Sequence, residues 1–370
     1  MFKFEVLKRD KDTNARLGRV HTAHGTVETP AFMPVATQGS VKAMTPEEIE
    51  SLGFKMIVVN AYHMYLRPGH ERVEKLGGLH KLMGWDYPIL TDSGGFQVLS
   101  LSKVRKIERE GIRFRSHLDG GEHLLTPEKC MEIQDALDTD IMMCLDECPP
   151  FPSTYEYMRG SVELTTRWAR LCKQTKPDSS RALFGIVQGG VFPDLRKKSA
   201  EELLEIGFDG YAVGGLGIGE PKEKTYEIGE LAVPHLPFGK PRYTMGLGMP
   251  EDIVQAVSMG VDLFDCVLPT RNARNGTLFT KRGKMVIKNA QYGDDESPVD
   301  EDCGCYTCRT FSRAYLRHLY QAGEILASRL LTLHNLYYYG SLMKQIREAI
   351  GRGEFHDFRG RFQSERLTEN

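Results

Sequence analysis

No apolar stretch in this 370-residue chain approaches the roughly 18 residues that cross a bilayer, so a membrane-spanning protein is not expected. Its first residues, Met1-Phe2-Lys3-Phe4-Glu5-Val6, alternate like a strand and carry charge, unlike a secretory signal; a cytoplasmic location is expected. Charge of one sign is also missing. A net charge of -2 argues against a chain that coats nucleic acid indiscriminately, so any such affinity has to be local. Tryptophan is scarce: Trp85 and Trp168 alone, neither at a predicted strand end, which leaves little for the aromatic platforms of a carbohydrate site. No Gly-x-Gly-x-x-Gly follows the first predicted strands with an acid about twenty residues on, which weighs against a dinucleotide fold. Internal repeats and low-complexity tracts are absent as well.

What is there is an ordinary globular composition, sized for one large α/β barrel or two to three smaller domains. From about residue 45 to 267, amphipathic segments alternate with short apolar runs. Thr45-Pro46-Glu47-Glu48, Thr126-Pro127-Glu128, Ser153-x-x-Glu156 and Met249-Pro250-Glu251-Asp252 read as helix starts. Between them lie Lys55–Val59, Pro88–Thr91, Ile141–Leu145, Ala182–Val187, Gly210–Val213, Arg242–Met245 and Leu263–Phe264. Continuous apolar strands separated by helices mean a buried parallel sheet. Seven or eight such units predict an α/β fold, a closed (β/α)₈ TIM barrel. The expected division is a barrel over 1–269, a basic, metal-binding segment over 270–335 and a C-terminal helical segment over 336–370. Charged, Gly-punctuated sequence at 100–125 reads as an inserted hairpin.

The predicted strands end on polar residues: Asn60, Asp92, Asp146, Gln188 and Asp265. Such an acid is most often a helix cap, but three carboxylates with an Asn and a Gln on one barrel face are hard to explain as caps alone. That face is where (β/α)₈ enzymes build their sites. Neighbouring carboxylates raise one another's pKa, which suits nucleophile and acid/base work. Asp92-Ser93-Gly94-Gly95-Phe96-Gln97 places glycines directly after a strand-end acid, and Gly214-Gly215-Leu216-Gly217-Ile218-Gly219-Glu220 offers two apolar residues able to line a flat pocket.

A second kind of chemistry lies between Phe264 and His334. From Cys266 to Gln291 there are six Lys/Arg, beginning with Arg271 and Arg274, and no Asp or Glu. Beside a strand-end acid this suggests phosphate binding, with Arg313 and Arg317 extending the positive surface. The acidic run Asp294–Asp302 reads as a solvated loop. Cys303, Cys305 and Cys308, among eight cysteines expected to be reduced, point to a metal. His334, after the helix-like Phe311–Ala327, or the competing His318, would complete a Cys₃His tetrahedron. A closed four-ligand site is structural zinc.

Taken together, Phe32-Met33-Pro34-Val35, Thr91–Gln97, Asp146-Glu147-Cys148, Gly185–Gly190, Phe264–Arg271 and the Cys/Cys/Cys/His set resemble bacterial tRNA-guanine transglycosylases, the queuine tRNA-ribosyltransferase family, over essentially the whole chain. The resemblance implies a zinc-bearing (β/α)₈ homodimer that swaps the wobble guanine in the anticodon loop of tRNAs for Asn, Asp, His and Tyr for a deazaguanine base. It further implies Asp265 as nucleophile on the ribose and Asp92 as general acid/base. Asn60, Asp146, Cys148, Gln188, Gly215, Leu216 and Met245 would shape the base pocket, with Phe96 stacking on the base. Arg271 and Arg274 would grip the RNA backbone, and Cys303, Cys305, Cys308 and His334 would hold Zn²⁺. Ile218 and Cys148 suggest 7-aminomethyl-7-deazaguanine as the incoming base, although Gly217-Ile218 departs from the Ala-Val common in bacterial members. Two other readings compete. A catalytically silent RNA-binding subunit would be expected to have lost the acids that this chain keeps, and a barrel glycosidase has little use for a basic patch.

Overall fold

The computed structural model describes residues 2–101, 104–177 and 180–367. Eight parallel strands close a barrel: β1 Ala31–Ala36, β2 Ile57–Val59, β3 Ile89–Thr91, β4 Ile141–Met143, β5 Ala182–Val187, β6 Gly210–Val213, β7 Arg242–Thr244 and β8 Leu263–Cys266. Each pairs with its neighbour in the chain, and β8 returns to β1 in the register Phe264↔Phe32, Asp265↔Met33. Met33, Val58, Leu90, Met143, Phe184 and Tyr243 fill the interior, as expected of a barrel whose middle is a packed core. The sequence pattern passed over β1 because Pro34 sits inside it, and proline is normally excluded from inner strands.

Several helix starts are built as read. Thr45 and Glu48 close a capping box around helix Pro46–Ser51. Thr126 Oγ1 accepts the Lys129 N–H at 3.2 Å. The long helix Tyr155–Thr175 is capped by Thr154 rather than Ser153.

Residues 3–29, expected to belong to the barrel, form a separate antiparallel sheet of Lys3–Arg9, Arg16–Thr22 and Gly25–Thr29. Val20 and Val27 of this sheet pack into the barrel's interior cluster beside Ala31, Met56 and Ala182. It therefore seals the end where the strands begin. The expected hairpin near 100–125 is the pair Ile112–Arg115 and Glu122–Leu125, to which Arg105–Ile107 adds a third strand. The reading of one helix over Phe311–Ala327 is corrected: helix Arg313–Gln321 stops before Gly323, whose φ is +71°. Helix Ile325–Arg352 then carries His334 within it and runs through the expected domain boundary at 335/336.

Two buried acids fasten the N-terminal sheet to the sealed end. Asp262, just before β8, takes two bonds from the Arg16 guanidinium, at 2.9 and 2.6 Å. Asp140, just before β4, accepts from the Ile89 N–H at 3.0 Å and from His24 Nδ1 at 2.9 Å, and lies 3.3 Å from His80 Nε2. The His24 and His80 rings stack at 3.6 Å, and His80 Nδ1 meets the Trp85 carbonyl at 2.9 Å. Burial disfavours a charged His80, but Asp140 and the Trp85 carbonyl outweigh it and raise the imidazole's pKa. Burial likewise opposes ionised Asp140, yet His80, the Ile89 N–H and His24 hold its carboxyl well below the usual range.

The two shifts fix a pH window. The Asp140 contribution is present above the ordinary aspartate value near 4 and lost as pH falls toward its depressed value. The His80 contribution is complete below about 6.5 and lost as pH rises through its raised value. Asp140→Asn is predicted to reduce unfolding free energy by about 3 kcal/mol at pH 6 in urea titrations, with a smaller gap to wild type at pH 8.5. A gap that does not change with pH would refute this account of the contact.

Candidate active site and metal centre

The strand-end polar residues do converge at the open end of the barrel. Asp92 follows β3 and is buried. Its Oδ1 accepts the Ala61 N–H at 2.9 Å, and its Oδ2 accepts from the Asn60 amide. Asn60 stands at the N-cap of helix Ala61–Leu66 but makes no capping bond with its side chain. Its amide is turned to Asp92 instead, so Asn60 is not acting as a side-chain cap. Burial pushes the Asp92 carboxyl up to about 7, opposed by the bonds from Asn60 and Ala61 and reinforced by the charge of Asp265.

Asp265 lies within β8, one residue before the strand's end. It accepts from the Tyr243 hydroxyl at 2.5 Å and from the Gly246 N–H at 3.0 Å. Burial raises its pKa, and those two donors work against the rise by favouring the carboxylate. Tyr243 was missed by the sequence reading; its position in an apolar strand marked it only as core.

Asp146 joins the other two loops. β4 ends at Met143, short of the expected Leu145, and the chain continues to Asp146, which accepts from Gln188 Nε2 at 2.7 Å and Ser93 Oγ at 3.3 Å. Burial pushes this carboxyl up to about 6, against the pull of Gln188 and Ser93. With Nε2 committed to Asp146, the buried Gln188 Oε1 has no donor among the described residues. It borders a shallow cleft lined by Pro149, Met158, Gln188, Gly190, Gly215 and Ile218. Glycine is required here: a Cβ would come within 2.8 Å of the Gln188 amide at Gly214 and within 2.5 Å at Gly215, where φ is +63°. Cys148 sits against Asp146 and Gln188, and burial pushes its thiol up to about 12, so it stays protonated.

Other expected pocket residues are placed differently. The Leu216 side chain packs into the core with Val213, Tyr226 and Leu247. Of the two apolar residues expected to line the pocket, only Ile218 does so. Met245 packs against the barrel interior. Phe96, in helix Gly95–Leu101, is 49% exposed, so its ring face is available. Sequence reasoning also missed Arg196. It is buried on helix Pro193–Ile206 and donates to carbonyls of both glycine loops. Its signal was a charge in line with Ser199, Ala200 and Leu203 on one helical stripe.

Arg271 is exposed on helix Leu268–Arg274, directly after Asp265, while Arg274 is half-buried and donates to the Thr270 carbonyl at 2.8 Å. The positive surface is smaller than its sequence suggested. The acidic run folds back on it: Asp302 pairs with Lys281 at 3.5 Å and Asp295 with Arg313 at 2.9 Å. The run is a loop as read, with Asp294, Glu296, Glu301 and Asp302 exposed.

Cys303, Cys305, Cys308 and His334 form one cluster, with sulfurs 3.7, 3.6 and 3.3 Å from His334 Nδ1. His318 is exposed and outside it. His334 Nε2 meets the Phe279 carbonyl at 2.8 Å, which fixes the tautomer and leaves Nδ1 for a metal. The Cys308 N–H points at Cys305 Sγ at 3.3 Å, as suits a thiolate ligand. The donor set and its second shell therefore fit a metal ion. The cluster ties the hairpin Thr277–Thr280/Gly283–Val286 to helices Tyr306–Thr310 and Ile325–Arg352, around a small core of Leu278, Ile287, Leu316 and Leu331.

Comparison with known proteins agrees with this geometry. The model of the queuine tRNA-ribosyltransferase family matches residues 10–368. A queuine tRNA-ribosyltransferase of Thermoanaerobacter sp. (strain X514) is 56% identical over 361 residues, 97% of this chain and 96% of that protein. Those of Syntrophobacter fumaroxidans and Lysinibacillus sphaericus are 56% and 54% identical, covering 98% and 97% of this chain and 97% and 95% of their own lengths. The match over nearly the whole chain shows that it belongs to the queuine tRNA-ribosyltransferase family.

Proposed function

We propose that this enzyme is a tRNA-guanine transglycosylase working by double displacement, with Asp265 as nucleophile and Asp92 as acid/base. The observation that carries the reading is that Asp92 and Asp265 stand together at the open end of the barrel, each held by its own neutral donors. Asp265 is held toward its ionised form by Tyr243 and the Gly246 N–H, while Asp92, pushed up to about 7, keeps a proton to give at neutral pH.

In the first step a carboxylate oxygen of Asp265 bonds to C1′ of the wobble nucleotide. The bond from C1′ to N9 breaks, its electron pair leaves with guanine, and Asp92 protonates the departing base. The incoming base then returns its proton to Asp92, attacks C1′ and frees the carboxylate. Two inversions give net retention, as in retaining glycosidases. The base has to be turned out of the stack into the cleft, where Asp146 and the free Gln188 Oε1 offer acceptors for its N–H edge and Phe96 a face to stack on. Arg271 and Arg274 would meet the anticodon-loop phosphates. The incoming base would be 7-aminomethyl-7-deazaguanine, with Ile218 lining the cleft and limiting the room for a bulkier substituent. Cys303, Cys305, Cys308 and His334 would hold one structural zinc ion, and the enzyme would act as a homodimer in the cytoplasm.

Exchange of labelled guanine into an unmodified anticodon stem-loop containing U-G-U tests the chemistry. Wild type is expected to incorporate label, with a rate that falls above about pH 7 as Asp92 loses its proton. Asp265→Asn should incorporate none. Asp92→Asn should be slower by about 10²-fold or more and lose the alkaline limb. Incorporation by Asp265→Asn at the wild-type rate would displace Asp265 from its role. Elemental analysis should find one zinc per chain. Its chelation should make residues 281–334 sensitive to protease while the barrel's far-ultraviolet dichroism persists; an unchanged digest would contradict a structural metal.

A further inference from the structure

The N-terminal sheet meets the sealed end of the barrel at three side chains from distant parts of the chain. His24 stands in the turn between strands Arg16–Thr22 and Gly25–Thr29, His80 on helix Gly78–Met83, and Asp140 just before β4. One ring nitrogen from each histidine and a carboxylate oxygen of Asp140 all lie within 4.8 Å of one another. The Asp140 side chain is 1% exposed, that of His80 10% and that of His24 35%. The group is therefore enclosed on the Asp140 and His80 sides and open to solvent at His24.

Its nitrogens are set as metal ligands are. His80 Nδ1 meets the Trp85 carbonyl at 2.9 Å, which leaves Nε2 turned toward Asp140. That Nε2 lies 3.3 Å from Asp140 Oδ2 without hydrogen-bond geometry, and it has no other hydrogen-bond partner among the described residues. A buried polar atom left in this way needs an explanation, and an ion not present is one of the few available. The same arrangement holds His334 in the Cys₃His cluster, where one ring nitrogen meets a carbonyl and the other faces the sulfurs. His24 Nδ1 lies 2.9 Å from Asp140 Oδ1. The carboxylate is oriented in turn by backbone: the Ile89 N–H reaches Oδ2 at 3.0 Å and the His24 N–H reaches Oδ1 at 3.3 Å. Two atoms bound to one zinc ion at about 2.0–2.1 Å stand about 3 to 3.5 Å apart. The 2.9 and 3.3 Å contacts are close to the edges of such a shell.

We propose that His24, His80 and Asp140 form a second metal site, for a divalent first-row ion such as zinc, with its remaining position left to water on the open side. Two imidazoles and one carboxylate suit that end of the series, whereas magnesium seeks a shell of oxygens that these residues do not supply. The ion takes the place of the protons held between the imidazoles and the carboxylate, and those protons pass to solvent. Three protein ligands and a solvent-facing position make it exchangeable, so desalted protein keeps only the ion of the Cys₃His cluster. Its effect is mechanical: it ties the turn of the N-terminal sheet to a helix and to the rim of the barrel. It lies at the end opposite Asp92 and Asp265 and takes no part in the chemistry there.

Zinc titration of the full-length protein tests this. The Cys₃His cluster is first loaded and the excess removed. Zinc chloride is then titrated calorimetrically into wild type and His24→Ala. Wild type is expected to bind one equivalent more than His24→Ala, and magnesium chloride to give no such difference. Hydrogen exchange of the amides in Arg16–Thr29 should slow on zinc addition in wild type and not in the variant. Should His24→Ala not fold, His80→Gln makes the same comparison from the other imidazole. Equal zinc binding by wild type and variant would overturn the proposal, leaving an ion pair if neither binds and adventitious sites if both do. Unchanged exchange in wild type at saturating zinc would overturn it as well.

Discussion

Carboxylates at the barrel mouth with no cation partner among the described residues set the terms for this molecule. Asp92, Asp146 and Asp265 stand at the open end of the barrel, and every hydrogen bond they receive comes from a neutral donor: Asn60 and the Ala61 N–H, Gln188 and Ser93, Tyr243 and the Gly246 N–H. Asp140 and Asp262, at the sealed end, are matched with histidines and an arginine. The same residue type thus does opposite work at the two rims. Paired with cations, it anchors the N-terminal sheet. Given only neutral donors, it keeps a raised pKa, the setting that the proposed bond-making and proton transfer require.

The rest of the fold keeps Asp92 and Asp146 buried and Asp265 half-buried at one end of the barrel. The β8–β1 register fixes Asp265 across from Met33 and so sets its height in the barrel. The N-terminal sheet plugs the far end with Val20 and Val27, so no water column reaches the site from below. Glycine at 214 and 215 lets the Gln188 amide lie flat against the loop, which frees one amide oxygen for a ligand. The Cys₃His cluster holds the hairpin that follows helix Leu268–Arg274, and thereby the cationic surface next to Asp265.

Much of this was legible in the sequence because barrel periodicity places strand-end residues on one face whatever else happens. Asn60, Asp92, Gln188 and the Cys₃ cluster could be read from position and spacing alone. Failures occurred where local pattern and tertiary role diverge. Pro34 hid β1, whose place in the barrel depends on pairing with β8, more than 200 residues on. The N-terminal sheet was half seen, because its burial comes from the barrel end and not from its own alternation. Leu216 looked like a pocket wall because a glycine-rich loop does not disclose which way its one large side chain turns. The lysines and arginines after Arg274 looked unopposed because the acids that offset them lie beyond a hairpin. Tyr243 and Arg196 escaped because each is a polar atom on a side chain whose position marks it as core.

The claim on which the account turns is that Asp265 forms a bond to ribose. Wild-type enzyme incubated with the U-G-U stem-loop, quenched in denaturant and digested, can be searched by mass spectrometry for a ribose-linked peptide. The account predicts one adduct, on the peptide containing Asp265, that disappears when excess guanine is added before quenching. An adduct on Asp92, or continued guanine exchange with no adduct on Asp265, would contradict it.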